Sequence, residues 1–138
     1  MSTIKILPHE PEHKKELFGL IGEACASMAV HKALGNPITS TRGDTWIVSI
    51  NEAGEMAGMC GMSALKSKSS IKLHGLYAGD DEKLASKLRK EAAKQAKANG
   101  ASEITITDRL ALVATYEKEG WSVIGQRGQN YVAFRKDI

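Results

Sequence analysis

The strongest constraint on the fold is the alternation of strand-like and helix-like segments in the second half of the chain. An alternating apolar segment at residues 71–77 is followed by a helical pattern from about 81 to 98. A second strand-like segment at 103–107 precedes a helix that runs to about Lys118 and a hairpin that turns at Arg127-Gly128. Strands that alternate with helices predict an α/β domain in which the helices cover a sheet.

The first half of the chain adds an amphipathic helix and an antiparallel meander. Apolar residues recur at helical spacing within 12–28, and the Gly35-Asn36-Pro37 triplet is typical of the end of a further short helix. The turn at 51–54 joins two strand-like segments. In chain order, we predict a strand at 4–7, helices at 12–28 and 29–34, and strands at 46–50, 56–65 and 71–77.

Length and composition favour one soluble domain that spans residues 1–138. No apolar run approaches the ~20 residues of a membrane span, and the polar start is not typical of a signal peptide, so we expect a cytoplasmic protein. Cys25 and Cys60 lie far apart in apolar surroundings, which argues against a disulfide or a thiolate metal site. The net charge of +3 permits anionic partners but is small for a dedicated nucleic-acid binder.

The helix at about 81–98 has two different faces. Leu84, Leu88, Ala92 and Ala96 share one side, which we expect to pack on the sheet. The other side carries a lysine stripe, which consists of Lys83, Lys87, Lys90, Lys94 and Lys97. Such a stripe is either a solvated surface or a binding site for an anionic polymer such as nucleic acid, with salt-dependent affinity.

The last helix carries the most informative local motif. In the run Ala114-Thr115-Tyr116-Glu117-Lys118-Glu119-Gly120-Trp121, a tyrosine lies one turn before a glycine C-cap and an aromatic strand start. This run and the order of elements resemble the GNAT family of N-acetyltransferases over nearly the whole chain. The resemblance implies an α/β (α+β) fold with a central, mostly antiparallel mixed sheet, a splayed parallel strand pair and flanking helices. It also implies transfer of an acetyl or acyl group from acetyl-coenzyme A to a small-molecule or protein amine by direct attack.

The resemblance also implies roles for particular residues. Tyr116 would protonate the departing thiolate, and His74 would take a proton from the acceptor amine. The coenzyme would bind where the strand at 71–77 meets the next helix, with its pyrophosphate on the helix N-terminal amides. The implied cofactor-binding residues are Leu76, Tyr77, Ala78, Gly79, Lys83, Leu84, Ala85 and Asp108.

Each candidate residue also has a structural interpretation. Tyr116 could pack under the sheet with its hydroxyl at the surface, and His74 could be a hydrogen-bonded core or surface histidine. Asp108 could be the N-cap of the last helix. The sequence is compatible with both interpretations of each residue.

The phosphate-binding segment departs from the family pattern. The family carries a sequence close to Arg-x-x-Gly-x-Gly or Gln-x-x-Gly-x-Gly, whereas this chain has Gly79 followed by Asp80, Asp81 and Glu82. These carboxylates suit a helix N-terminus but repel a pyrophosphate on the same amides, although Lys83 could partly offset them. The competing hypothesis is therefore a GNAT-like protein that does not use acetyl-coenzyme A. Small divergent members of this kind occur as tailed-phage virion components or DNA-modifying factors, and a homodimer is compatible with either hypothesis.

Two other motif matches do not predict sites. His9-Glu10-Pro11-Glu12-His13 matches the zinc motif H-E-x-x-H, but a proline at its third position prevents the helix that would align both histidines. The glycines at 54, 58 and 61 lie within a strand pattern rather than between a strand and a helix. We therefore expect neither a metal site nor a second phosphate loop.

Overall fold

The computed structural model describes residues 3–8, 10, 14–26, 44–64 and 69–138. The strands are β1 (Thr3–Pro8), β2 (Thr45–Ile50), β3 (Met56–Ala64), β4 (Ser70–Tyr77), β5 (Glu103–Arg109), β6 (Ser122–Gln126) and β7 (Tyr131–Asp137). The helices are α1 (Lys14–Ala26), α2 (Glu82–Ala98) and α3 (Val113–Lys118), the last preceded by a 3₁₀ turn at Leu110–Leu112.

Within the described part of the chain, the strands form one seven-stranded mixed sheet in the order β1-β2-β3-β4-β5-β7-β6. Neighbouring strands are antiparallel except for β4 and β5, which are parallel. The predicted fold class is therefore confirmed, and the expected N-terminal strand is present as β1. The predicted short helix at 29–34 and the H-E-x-x-H segment, apart from Glu10, lie outside the described residues.

The side chain of Asn51 stabilises the turn between β2 and β3. The Asn51 Oδ1 accepts hydrogen bonds from the backbone amides of Ala53 and Glu55, both at 3.0 Å. Gly54 adopts a φ of 81°, a conformation that favours glycine. This local chemistry explains why the hairpin could be predicted from the sequence.

Two hydrophobic cores lie on the two faces of the sheet. On one face, Leu88 and Ala92 of α2 are fully buried with sheet residues such as Leu73 and Phe134. On the other face, Leu17 and Ile21 of α1 pack against Trp46 and Val48. The five lysines of the stripe are all exposed, which confirms the predicted orientation of α2. No helix among the described residues is long and apolar enough to span a membrane.

The interpretation of Asp108 as the N-cap of the last helix is wrong. Asp108 belongs to β5 and lies opposite Val132 of β7, because the pairing of these two strands continues as far as Arg109. The N-cap of α3 is Leu112, which provides no side-chain hydrogen bond. The helix therefore begins through the 3₁₀ turn, and the carboxylate of Asp108 is left available for another partner.

Candidate active site

The parallel strands β4 and β5 are paired only at their first residues. Their pairing runs from Ser70 and Glu103 to Lys72 and Thr105. Beyond that point β4 pairs with β3 as far as Tyr77, and β5 pairs with β7 as far as Arg109. The two strands consequently diverge, and their facing backbone edges are no longer joined to each other. A freed strand edge is a surface on which an extended ligand can pair.

A β-bulge lies in β4 at the start of this divergence. Met59 lies opposite Tyr77 and Gly61 lies opposite His74, so β3 advances by fewer residues than β4 between the two pairs. Gly75, inside the bulge, has a φ of 58°. A bulge with glycine in this conformation bends its strand, which directs the end of β4 away from β5.

The loop after β4 leads directly into the N-terminus of α2. Gly79 has a φ of 57°, and no heavy atom beyond its two chain neighbours lies within 4 Å of the position that a Cβ would occupy there. Asp81 is the helix N-cap, and its Oδ1 accepts a hydrogen bond from the Leu84 amide at 3.0 Å. One of the amides predicted to hold the pyrophosphate is thus already bound by a carboxylate of the chain itself.

The predicted cofactor-binding residues, apart from Asp108, lie in this loop or directly beside it. Leu76 and Leu84 are half-buried against the core on the α2 face, and Ala78 and Ala85 are buried in it. Tyr77 is half-buried and packs against the opposite core. Gly79 and Lys83 are exposed together with the three acidic residues Asp80, Asp81 and Glu82.

Tyr116 is fully buried, and its hydroxyl is not at the surface. Its ring stacks on Phe134 with centroids 4.2 Å apart and meets Trp121 edge-on at 5.4 Å. The hydroxyl donates a hydrogen bond of 2.6 Å to Oδ2 of Asp108, in the diverging part of β5. Burial, followed by the negative charge of Asp108, raises the pKa of Tyr116 well above its usual range. Tyr116 and Asp108, both predicted to be site residues, are therefore in direct contact.

A buried arginine beneath Tyr116 is a feature that the sequence analysis missed. The Arg89 side chain is only 1% exposed and forms a bidentate pair with Glu119, with N–O distances of 3.0 and 2.6 Å. Its guanidinium carbon lies 4.6 Å from the centre of the Tyr116 ring. The sequence does contain a signal, since Arg89 continues the helical spacing of the buried residues Ala85, Ala92 and Ala96.

Cys60 lies in β3 and is fully buried. Burial raises the pKa of its thiol to about 12. The thiol therefore stays protonated at neutral pH and is unsuited to nucleophilic or metal-binding chemistry, which requires the thiolate.

His74 lies on the opposite face of the sheet from Tyr116. Its neighbour Leu73 is buried in the α2-side core, whereas the His74 ring meets Trp46 of the α1-side core edge-on at 5.2 Å. Burial lowers the pKa of His74, while the negative charge of Asp44 acts to raise it and Lys72 acts to lower it. The structure thus does not bring the two predicted catalytic side chains into contact.

Two polar residues that the sequence analysis missed surround His74. The Ser63 Oγ lies 2.9 Å from His74 Nε2 and donates a hydrogen bond of 2.7 Å to Asp44 Oδ1. The second carboxylate oxygen of Asp44 lies 3.5 Å from the same nitrogen. Gly61, opposite His74, leaves room for the ring, because a Cβ there would lie 2.5 Å from His74 Cε1. The meander brings these residues together, and the sequence contains no local motif for the cluster.

Comparisons with known proteins agree with this geometry. The family model of the GNAT acetyltransferase domain matches residues 9–132. No curated protein matches the chain. The fold is similar to that of Escherichia coli ElaA, with a TM-score of 0.75, 12% identity and coverage of 99% of both chains. It is also similar to an acyl-CoA N-acyltransferase from Pseudomonas aeruginosa, with a TM-score of 0.74, 11% identity and 99% coverage of both chains.

A third solved structure, the IAA acetyltransferase from Bacillus cereus, has a TM-score of 0.66 and 13% identity, with 100% of both chains covered. At these identities, the structural matches show a shared fold only. The family model covers most of the chain, and its match accords with the diverging parallel strands described above. The chain therefore belongs to the GNAT acetyltransferase family.

Proposed function

We propose that this protein is an N-acyltransferase that moves an acetyl or other acyl group from an acyl-coenzyme A to an amine. The observation that carries the proposal is the divergence of β4 and β5 beyond Lys72 and Thr105. The freed edge of β4 offers backbone groups to an extended, amide-containing arm such as pantetheine. We expect the acceptor to be a small-molecule or protein amine in the cytoplasm.

The two ends of the coenzyme fit this chain unequally. The backbone edge at Leu76 and Tyr77 suits the pantetheine arm, whereas the Leu84 amide at the phosphate end is held by Asp81. The exposed Lys83 and Lys87 supply positive charge beside this acidic loop. We therefore expect the arm to contribute more of the affinity than the pyrophosphate does.

When bound, the coenzyme would supply a thioester carbonyl for attack by the amine. His74 would accept a proton from the amine, and its moderate basicity suits this task near neutral pH. Tyr116 would redirect its hydroxyl from Asp108 towards the leaving sulfur and donate its proton there. The raised pKa keeps the Tyr116 hydroxyl protonated throughout the neutral range, and turning the hydroxyl away from Asp108 removes one cause of that rise, which makes it a stronger acid.

Binding and turnover of two donors would test the proposal. We expect calorimetry to detect binding of acetyl-coenzyme A, and thiol release to depend on an added amine. Acetyl-pantetheine, which lacks the nucleotide and the pyrophosphate, should keep much of the binding free energy if the β4 edge carries it. If neither donor binds at millimolar concentration, the proposal is wrong.

A non-acylating role in nucleic-acid binding, as in a phage-type factor, is the less supported alternative. The one observation that supports this alternative is that the lysine stripe of α2 is exposed. Reversing Lys87, Lys90 and Lys94 to Glu would abolish binding to single- or double-stranded DNA under this alternative, and binding by the unaltered protein would weaken steeply with salt. Under the proposed function, the triple variant keeps its kcat at saturating acyl donor, and loss of the Lys87 charge raises only the KM for acyl-coenzyme A.

A further inference from the structure

We propose that Asp44 and Ser63 are positioning residues that hold His74 in the tautomer whose free base is Nδ1. The proposal rests on the acyl transfer proposed above and identifies the atom that accepts the amine proton. The three side chains come from separate stretches of the chain: Asp44 directly precedes β2, Ser63 lies in β3 and His74 lies in β4. Asp44 is 8% exposed, so its interaction with the cluster is shielded from water.

The hydrogen positions in the cluster follow from its distances. Ser63 has one hydroxyl proton, and a carboxylate can only accept, so the bond of 2.7 Å to Asp44 Oδ1 uses that proton. The contact of 2.9 Å between Ser63 Oγ and His74 Nε2 then requires the proton to be on the nitrogen. Oδ2 of Asp44, 3.5 Å from Nε2, favours the same assignment. Neutral His74 therefore carries its proton on Nε2 and its lone pair on Nδ1.

The Nδ1 atom remains available to a ligand. Within the described residues, His74 makes no other hydrogen bond, and Nδ1 is not among the fully buried polar atoms that lack a partner. The side chain of His74 is 22% exposed, so the ring is not sealed into the core. An acceptor amine can approach the unprotonated nitrogen from this open side.

The arrangement differs from a Ser-His-Asp hydrolase triad, although it uses the same residue types. In a triad, the carboxylate binds Nδ1–H and the serine gives its proton to Nε2. Here Asp44 accepts the proton of Ser63, and both residues lie on the Nε2 side of the ring. Ser63 is therefore placed to orient the imidazole and not to act as a nucleophile.

In the proposed step, the amine proton moves to His74 Nδ1 as the nitrogen lone pair forms a bond to the acyl carbon. The carbon–sulfur bond breaks, and the sulfur takes a proton from Tyr116 or from solvent. His74 becomes an imidazolium and later releases its proton to water. Asp44 stabilises that positive charge, and Lys72 opposes it from the same strand.

The tautomer can be measured without any substrate. In ¹⁵N NMR spectra of the labelled protein above the pKa of His74, with the signal assigned from His74→Gln, we expect the Nε2–H tautomer to dominate. Ser63→Ala should produce a mixture of tautomers, whereas Ser63→Thr, which keeps the hydroxyl, should retain the native one. A dominant Nδ1–H tautomer in the unaltered protein would overturn the proposal.

The catalytic consequence is tested by the pH dependence of turnover. His74→Gln should lower kcat by about 10² to 10⁴ fold, as expected for loss of a general base. Asp44→Asn should cause a smaller loss and move the acidic limb of the kcat profile to lower pH, because the imidazolium loses its carboxylate. The KM for the acyl donor should change little in either variant. An unmoved limb in Asp44→Asn, together with an unchanged pKa of His74 by NMR, would contradict the positioning role.

Acyl transfer by the unaltered protein is the control that separates the two proposals. If the unaltered protein transfers no acyl group to any amine tested, the proposed function fails, and the base role of His74 fails with it. If transfer occurs but the tautomer is wrong, only the positioning role is lost.

Discussion

At the scale of single residues, the surroundings of Tyr116 explain how a buried hydroxyl can still serve chemistry. The ring is held between Phe134 and Trp121 and above the Arg89 guanidinium, which leaves it little freedom. Only the hydroxyl reaches towards the diverging strands, where Asp108 accepts its hydrogen bond. Asp108 thus aims the hydroxyl in the free protein and must release it before the hydroxyl can reach a leaving group.

We therefore expect Tyr116→Phe to lower kcat by roughly 10 to 1000 fold with little change in the affinity for acyl donor. The substitution removes only the hydroxyl, so the aromatic packing is kept and folding should be preserved. Steady-state kinetics combined with calorimetric titration of the donor would measure both effects. An unaltered rate in an enzyme shown to be active would remove Tyr116 from the mechanism.

At the scale of elements, α2 owes its position to the contrast between its two faces. Leu88 is fully buried, whereas Lys87, the residue directly before it in the helix, is exposed. Leu88→Asp should destabilise the domain by several kcal/mol because it places a charge in the core, whereas Lys87→Asp should change stability by about half a kcal/mol or less. Urea unfolding of both variants provides the measurement. Equal midpoints would show that the helix orientation is wrong.

The pair of Arg89 and Glu119 links α2 to the residue after α3. Glu119→Ala leaves a buried guanidinium unpaired and should cost about 3 kcal/mol, whereas Arg89→Met combined with Glu119→Leu should recover much of that loss. A double-mutant cycle measured in urea checks this. If the single variant is as stable as the unaltered protein, the pair does not hold the two helices together.

The same pair gives stability a defined dependence on pH. Burial acts to raise the pKa of Glu119, but the hydrogen bonds and charge of Arg89 outweigh burial and hold that pKa below its usual value. A lowered carboxyl pKa stabilises the folded state above the ordinary carboxyl pKa, and this contribution is lost as the pH falls through the lowered value. The stability difference between the unaltered protein and Glu119→Gln should therefore shrink below about pH 4.

At the scale of the whole molecule, positive and negative charge are segregated around α2. The loop at its N-terminus is acidic, while the lysine stripe runs along its outer face. An anionic ligand that approaches the N-terminus of α2 is therefore repelled by the acidic loop and attracted by the lysines next to it. This arrangement predicts weak binding of the phosphate end of a coenzyme.

Replacing Asp80 and Asp81 with Gly should tighten binding of acetyl-coenzyme A and leave binding of acetyl-pantetheine unchanged. The change removes repulsion and frees the Leu84 amide, and Gly at an N-cap costs the helix only a few tenths of a kcal/mol. Calorimetry on both donors would make the comparison, with Glu55→Gln as a control that removes an exposed carboxylate from the β2–β3 turn. Equal tightening for both donors would show that the pyrophosphate is not the group repelled.

The sequence by itself determined the features that depend on near neighbours. The helical spacing of Leu84, Leu88, Ala92 and Ala96 predicted which side of α2 is buried, and Asn51 with Gly54 marked the first hairpin. These patterns can be recognised in the sequence because a helix face and a tight turn are set by residues only a few positions apart. The order of elements followed from the same local signals.

Only the tertiary structure decided the features that depend on strand pairing and on distant partners. Asp108 became part of β5, and not a helix cap, because β7 offered it a pairing partner. Arg89 could be buried on an apolar face because Glu119 neutralises it from 30 residues away. Asp44, Ser63 and His74 are in contact because the pairing of β2 with β3 and of β3 with β4 brings their three separate stretches of chain side by side. A polar group is buried only when its partner is in place, and that partner is supplied by the fold rather than by the adjoining sequence.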